Sequence, residues 1–309
     1  GRSVKRSTFI WSFFAAFMAA FAFLFLFTIS DYGTTYDAQG ELHLGDRYFY
    51  FLTTLDPAYL DLTADNIAVY KRPDHPDLFN SSGFARRNPH HIWGLGPTMM
   101  AATKYLFYTM RPIMDPIDAH FLALGLLVAI QIAVLFSFAT KYLAPSIAIV
   151  AVACMLAHPR YWADLHNNQK DIPESVMFTV VIVMFHLAIT KRKAWLLWLT
   201  STMWGAALAT KGNAVFLPLI VGPWWLAMVY GRWRKPDSAI DWRMGVALIA
   251  SPVVAAACCV ILWPYLLMNF PHNLARHINF VIRKGSSGPD HWQIEPLIKF
   301  LTTTPIPVL

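Results

Sequence analysis

The sequence predicts an all-α protein whose helices cross a membrane several times. Of the 309 residues, 56% are hydrophobic and only 14% are charged, whereas soluble domains carry nearer a quarter of charged residues. The stretch from Thr8 to Ser30 holds no charge and is long enough to cross a bilayer by itself. It is too long for the apolar part of a cleaved signal peptide, and no small-residue cleavage site closes it. We therefore interpret it as an anchored first span.

The charge distribution indicates the orientation and the class of partner. Arg2, Lys5 and Arg6 precede the first span and predict a cytoplasmic N-terminus. The formal net charge is +7, but the basic residues are spread over short loops between apolar runs, such as 191–193 and 232–235. This pattern is typical of basic residues kept on the cytoplasmic side and argues against nucleic-acid binding. The short loops favour the bacterial cytoplasmic membrane over the endoplasmic reticulum.

Tracing the apolar runs gives about seven complete spans within a single transmembrane domain over 1–309. The predicted spans are 8–30, 119–140, 144–157, 175–190, 195–210, 214–230 and 244–268. Residues 31–118 form a long external loop, in which 97–110 is predicted to be a helix lying in the membrane interface. The chain ends inside another apolar stretch, 296–309, so we expect a C-terminal part to be missing.

No Asp or Glu falls at the centre of a predicted span, and this bears on the class of function. Proteins that carry protons or ions usually place an ionisable side chain inside the membrane. The pattern therefore disfavours a transporter and favours chemistry at one membrane face.

A polar island at 158–173 interrupts two apolar runs and is the first candidate site. Within it Lys170 is suited to hold a phosphate, and Asp171 to orient a sugar or a metal ion. Alternatively, Asp171 and Glu174 only favour the dipole at the start of a helix. That alternative does not explain Asn168 and Lys170 beside them, so we favour a functional site.

Two further motifs carry candidate residues. Asp37 follows a Gly-Thr-Thr turn after the first span, where a carboxylate could act as a general base or ligate a divalent cation. An ordinary turn leaving a helix explains the same spacing, and by itself the spacing favours it. Lys211, between two apolar runs, is equally suited to anchor a helix at the interface or to bind phosphate.

Basic residues in two external segments complete the candidate set. Arg86, Arg87 and His90 precede Trp93 and suit an anionic, lipid-linked substrate, although Arg and Trp also favour a simple interface anchor. Arg283 and Lys284 lie in the last external segment, which could close over a substrate or form ordinary solvated turns.

Four stretches occur in an order that is found in a known family. They are Asp-Tyr-Gly-Thr-Thr-Tyr-Asp at 31–37, Asn-Gln-Lys-Asp-Ile-Pro at 168–173, Ala-Thr-Lys-Gly-Asn at 209–213 with Phe-Leu-Pro at 216–218, and Thr-Thr-Thr-Pro-Ile-Pro-Val-Leu at 302–309. The ordered set resembles the C-type (GT-C) membrane glycosyltransferases, particularly the protein O-mannosyltransferase and lipid A aminoarabinose transferase group.

The resemblance implies an inverting transfer of a sugar from a polyprenyl-phosphate donor at the external leaflet of the bilayer. By matching position, Asp37 would be the general base and Asp171 the second acidic position. Lys170 and Lys211 would stabilise the leaving phosphate, while Arg283 and Lys284 align loosely. Some relatives use a divalent cation, although no compact ligand set here demands one.

One departure from the family pattern keeps a second function open. Family members commonly carry Asp-Glu in the first loop, whereas Asp37 is followed here by Ala38. The alternative is a catalytically inactive GT-C-like accessory subunit that serves a larger membrane complex together with other membrane subunits.

Overall fold

The computed structural model describes residues 2–35, 38–60, 93–233 and 242–286, and in these ranges the chain is helical without strands. The helices are α1 (Arg2–Thr28), α2 (Ala38–Thr54), α3 (Leu95–Lys104), α4 (Pro116–Ala139), α5 (Pro145–Ala157), α6 (Pro159–Asn167), α7 (Asp171–Lys191), α8 (Ala194–Thr210), α9 (Leu217–Trp233), α10 (Trp242–Leu262), α11 (Pro264–Met268) and α12 (Phe270–Ser286). Single 3₁₀ or π turns extend α1, α3 and the start of α9. The predicted all-α fold is confirmed for this part of the chain.

Four segments are long and apolar enough to cross a membrane. They are Ile10–Asp31, Pro116–Ala139, Asp171–Lys191 and Trp242–Leu262. A fifth is possible if α5 and α6 count as one span bent by 67°. The described residues thus support four or five spans, and the prediction of about seven is not confirmed. The helices α8 and α9 occur where spans were predicted, but each has 17 residues, fewer than the ~20 of a full crossing.

Two predicted boundaries differ from the structure for local reasons. The predicted span 144–157 is only the first arm of the bent pair, because Pro159 begins a new helix in a different direction. The predicted span 244–268 divides at Trp263, whose extended backbone separates α10 from α11.

The helix α8 packs between α7 and α10. Gly205 allows the close approach, since a Cβ at this position would lie 2.5 Å from the backbone oxygen of Ala255. The other half of the bundle packs α1 on α4, where Phe14 stacks on Phe136 with ring centroids 4.1 Å apart.

The helix α2 is buried although it is rich in charge, and the sequence did not predict it as a helix. Glu41, His43, Asp46 and Arg47 are each at most 4% exposed. The segment 31–118 is therefore more than an external loop, because α2 and α3 pack on each other and α3 packs on α4. The helix predicted within 97–110 is present as α3, and its Lys104 is buried.

Asp46 anchors α2 to its neighbours through two buried partners, the ammonium of Lys104 and the imidazole of His120. Its carboxylate lies 2.5 Å from Lys104 Nζ and 3.3 Å from His120 Nε2. Burial by itself would raise the pKa of Asp46. The hydrogen bonds and charges of His120 and Lys104 outweigh burial and lower that pKa below its usual value. These contacts join α2, α3 and α4 into one unit.

The polarity of the bundle differs between its two ends. Ser30 Oγ donates to Asp118 Oδ2 at 2.7 Å, which places the end of α1 beside the start of α4. We call this the acidic end, and its carboxylates include Asp31, Asp118 and Asp171. The opposite, basic end carries Lys141, Lys191, Arg192, Lys193 and Arg243 and holds no described Asp or Glu.

We expect Asp46→Asn to lower the free energy of unfolding by about 3–5 kcal/mol, because the change leaves Lys104 buried without its counter-charge. Since the pKa of Asp46 is lowered by folding, its contribution is complete above about pH 4 and is lost as the pH falls further. Thermal unfolding of the detergent-solubilised chain measures both effects. Asp31→Asn, at an exposed aspartate, is the matched control, and an equal loss of stability in both variants would contradict the prediction.

Candidate functional site

Lys211 and Asp171 come together at the acidic end of the bundle. Asp171 begins α7 and Lys211 follows α8, and because these helices run antiparallel the two residues meet. Lys211 Nζ forms an ion pair with Asp171 Oδ1 and lies 3.6 Å from Glu174 Oε2. The side chains of Lys211 and Asp171 are 29% and 39% exposed, so the pair is accessible from solvent. Glu174 Oε1 is buried and has no hydrogen-bond partner among the described residues.

Asn168 fixes the orientation of the Asp171 carboxylate. Its Oδ1 accepts from the backbone N–H of Asp171 at 2.9 Å and of Lys170 at 3.2 Å. Its Nδ2 donates to Asp171 Oδ2 at 2.8 Å. Because Asn168 binds Oδ2, the other carboxylate oxygen meets Lys211. The end of the polar island is thus a turn that positions a carboxylate at the start of a helix.

Lys170 links the same loop to the buried helix α2. Its ammonium forms an ion pair with Glu41, whose side chain is only 4% exposed. Lys170 itself is 29% exposed. The loop at 168–171 is therefore held by α2 on one side and by the end of α8 on the other.

The polar loop also contacts the described residues that come before and after Asp37, the predicted general base. Asn167 Nδ2 donates to the backbone oxygen of Gly33 at 3.3 Å, and Gln169 Nε2 donates to that of Ala38 at 3.5 Å. The ring of His166 stacks on Tyr32 with centroids 4.2 Å apart. The described part of the 31–37 motif therefore contacts the polar island at 158–173.

An aromatic cluster borders the Lys211 loop at Gly212. The ring of Trp93 lies 4.7 Å from Trp263 and 4.5 Å from His277 between centroids. A Cβ at Gly212 would lie 2.9 Å from the Trp93 ring, so the glycine allows the tryptophan to reach the Lys211 loop. Trp263 Nε1 is buried in this cluster. Trp93 and His277 lie far apart in the sequence, and the structure brings them together.

The predicted site residues divide into those the structure brings together and those it does not describe. Lys170, Asp171 and Lys211 share one cluster. Arg283 is exposed in the second half of α12. The residues outside the described part are Asp37, Arg86, Arg87 and His90, together with the side chain of Lys284.

Two contributors were missed by sequence reasoning. Glu41 was missed because its partner, Lys170, lies far away along the chain. Trp263 was missed because it lay inside a predicted span. The proline that follows it at 264 signals a helix break and could have revealed the boundary.

The described residues contain no group of three or more His, Cys, Asp or Glu that could hold a metal ion. A divalent cation therefore stays a prediction, since Asp37 falls outside this part of the chain.

A profile of the dolichyl-phosphate-mannose-protein mannosyltransferase family matches residues 96–263, which is more than half of the chain. The chain belongs to this family. The matched region contains Lys170, Asp171 and Lys211 of the cluster, and Asp37 lies before it. No curated protein and no solved structure matches the chain. Family membership and the apolar helices together make it an integral membrane protein of the C-type glycosyltransferase class.

Gly96→Ala tests how tightly the polar loop is held. A Cβ at Gly96 would lie 2.3 Å from the backbone oxygen of Gln169, so the loop or α3 must shift. We expect a loss of about 1–3 kcal/mol in unfolding free energy and faster amide hydrogen exchange at 168–171. Gly222→Ala is the control, because a Cβ there meets no atom within 4 Å. Unchanged exchange at 168–171 in Gly96→Ala would show that the loop does not depend on this contact.

Proposed function

We propose that this chain transfers a sugar from a polyprenyl-phosphate-linked donor to an acceptor, with inversion, at the acidic end of the bundle. The observation that carries the proposal is the half-exposed Lys211–Asp171 pair beside Lys170. This pair sets the Lys211 ammonium against a partly exposed carboxylate, and Lys170 lies on the same loop in an ion pair with Glu41. Both lysines belong to motifs that resemble the GT-C pattern, and both fall within the region that matches the family.

The charge asymmetry of the bundle supports an external location for this site. Lysines and arginines of short loops are retained on the cytoplasmic side. The basic end carries Lys141, Lys191 and Arg243 and would therefore face the cytoplasm. The acidic end, with the cluster and the segment 31–118, would face outward. In this orientation the N-terminus is cytoplasmic, and residues 1–309 form one transmembrane domain.

In the proposed reaction, an acceptor group attacks the anomeric carbon from the side opposite the phosphate. A new bond forms between the acceptor atom and this carbon while the bond from the carbon to the phosphate oxygen breaks, and its electron pair leaves with the phosphate. Asp37 takes the proton of the acceptor, so that proton and charge balance. Glu174, whose Oε2 lies 3.6 Å from Lys211 Nζ, would add a second carboxylate beside this lysine.

Lys211 and Lys170 would stabilise the charge that develops on the leaving phosphate. In the structure each ammonium is already paired with a carboxylate. An ammonium carries three donors, so Lys211 can keep Asp171 and still donate to a phosphate oxygen. Asp171 would then orient the lysine, and through it the donor.

The alternative, an inactive accessory subunit, keeps one specific observation in its favour. Ala38 is fully buried at the start of α2, where family members commonly carry Glu. A second acidic side chain has no solvent-accessible place there.

Asp37→Asn tests the proposed base. We expect transfer from a panel of polyprenyl-phosphate sugars to fall by at least about 100-fold, since general acid–base catalysis contributes 10²–10⁴, without a change in unfolding temperature. Asp56→Asn, an exposed aspartate that follows α2, is the control and should transfer normally. A well-folded wild type that binds and turns over no member of the panel would favour the accessory subunit.

Lys211→Met tests the phosphate-stabilising role. We expect kcat to fall by about 100-fold with a smaller change in KM, because the lost donor acts on charge that develops during transfer. Asp171→Asn should have a weaker effect in the Lys211→Met background than alone, because the two groups act as one unit. Lys141→Met, at the basic end, should leave kcat unchanged. If Lys211→Met altered only thermal stability, the pair would be structural.

A further inference from the structure

A cavity lies at the basic end of the bundle, far from the Lys211–Asp171 pair. It has a volume of about 600 Å³ and lies between the starts of α8 and α10. Three cations line it, namely Arg192, Lys193 and Arg243. The described residues that line it include no carboxylate. The described part of the cavity lining is therefore positively charged.

The local backbone builds this site in a defined way. α7 ends at Lys191, and the Arg192 that follows has left-handed backbone angles (φ 54°, ψ 47°). The Lys193 N–H donates to the Ala188 oxygen at 3.1 Å. This two-residue link turns the chain directly into α8, so both cations stand at the mouth of the cavity. The first backbone N–H groups of α8 lie at the same mouth and favour an anion.

Three tryptophans form the remaining wall. Trp195 and Trp198 come from α8, and Trp242 begins α10. The Arg243 guanidinium lies 5.8 Å from the centroid of the Trp242 ring. Exposed tryptophans at the end of an apolar helix are typical of the level of lipid headgroups.

The cavity continues into a surface suited to acyl chains. Along α10, Val246, Ile249 and Val253 are 48%, 83% and 71% exposed and follow one another on one face. α7 separates the cavity from Asp171 by its 21 residues, or about 31 Å at 1.5 Å per residue. That distance is close to the thickness of the hydrocarbon core, so the two sites face opposite leaflets.

We propose that this cavity binds the phosphate headgroup of an anionic phospholipid from the leaflet at the basic end. The arginines donate in pairs to phosphate oxygens and Lys193 adds a point charge. The tryptophans hold the glycerol region and the acyl chains lie on the exposed face of α10. The inference concerns a different site from the proposed transfer reaction and does not depend on it.

Lipid binding to the purified full chain tests the proposal. Nanodiscs of phosphatidylcholine, with or without 20 mol% phosphatidylglycerol, provide the probe, and native mass spectrometry after extraction counts the retained lipids. We expect the purified chain to retain more phosphatidylglycerol than phosphatidylcholine. The double variant Arg192→Gln/Lys193→Gln should weaken it by at least tenfold, since each cation near a surface contributes about a fivefold change.

The control is Lys141→Gln/Lys191→Gln, which removes two exposed cations from the same end outside the cavity. Its phosphatidylglycerol retention should match that of the wild type. Equal losses in both double variants would overturn the proposal in favour of general surface charge. Competition by millimolar inorganic phosphate would instead assign the cavity to a soluble anion. Equal retention of both lipids by the wild type would overturn the proposal without any variant.

Discussion

The charges that α2 buries are the constraint on which the rest of the structure depends. A carboxylate shut away from water without a partner costs several kcal/mol, so Asp46 and Glu41 each require a cation. Asp46 obtains its partners from α3 and α4, and Glu41 obtains Lys170 from the loop before α7. Satisfying these two carboxylates brings four separate parts of the chain together. The position of the polar loop, and hence of Asp171, follows from this neutralisation.

The sequence predicts well those features of the fold that depend on local composition. Long apolar runs locate α1, α4, α7 and α10, because each must satisfy its own backbone hydrogen bonds in the bilayer, although the predicted span of α10 ran past its break at Trp263. The polar island at 158–173 was recognised for the same reason, since its polar side chains have no place in a bilayer core. The pairing of Lys170 with Glu41 could not be predicted, because nothing local marks two residues so far apart as partners. Burial of α2 was missed because its composition is that of an exposed helix.

In the functions proposed above, the two ends of the bundle have different chemical tasks. Mixed charges, amides and aromatic rings surround Lys211 at the acidic end, and they suit a polar substrate whose phosphate develops charge. Cations and tryptophans at the basic end suit a static anion held at one depth. The stiff antiparallel layer of α7, α8 and α10 connects the two ends. Close backbone approach at Gly205 fixes the spacing of that layer.

The bend between α5 and α6 has a consequence for the lipid around the site. α5 has 13 residues and is about 20 Å long, well short of the roughly 30 Å hydrocarbon core. The 67° turn then directs α6, with its polar residues, sideways across the bundle. A bilayer that matches a helix of about two thirds of its core thickness would thin beside it. Lipid phosphates there would sit deeper than elsewhere in the leaflet, so a lipid-linked sugar could reach the cluster without leaving the plane of the membrane.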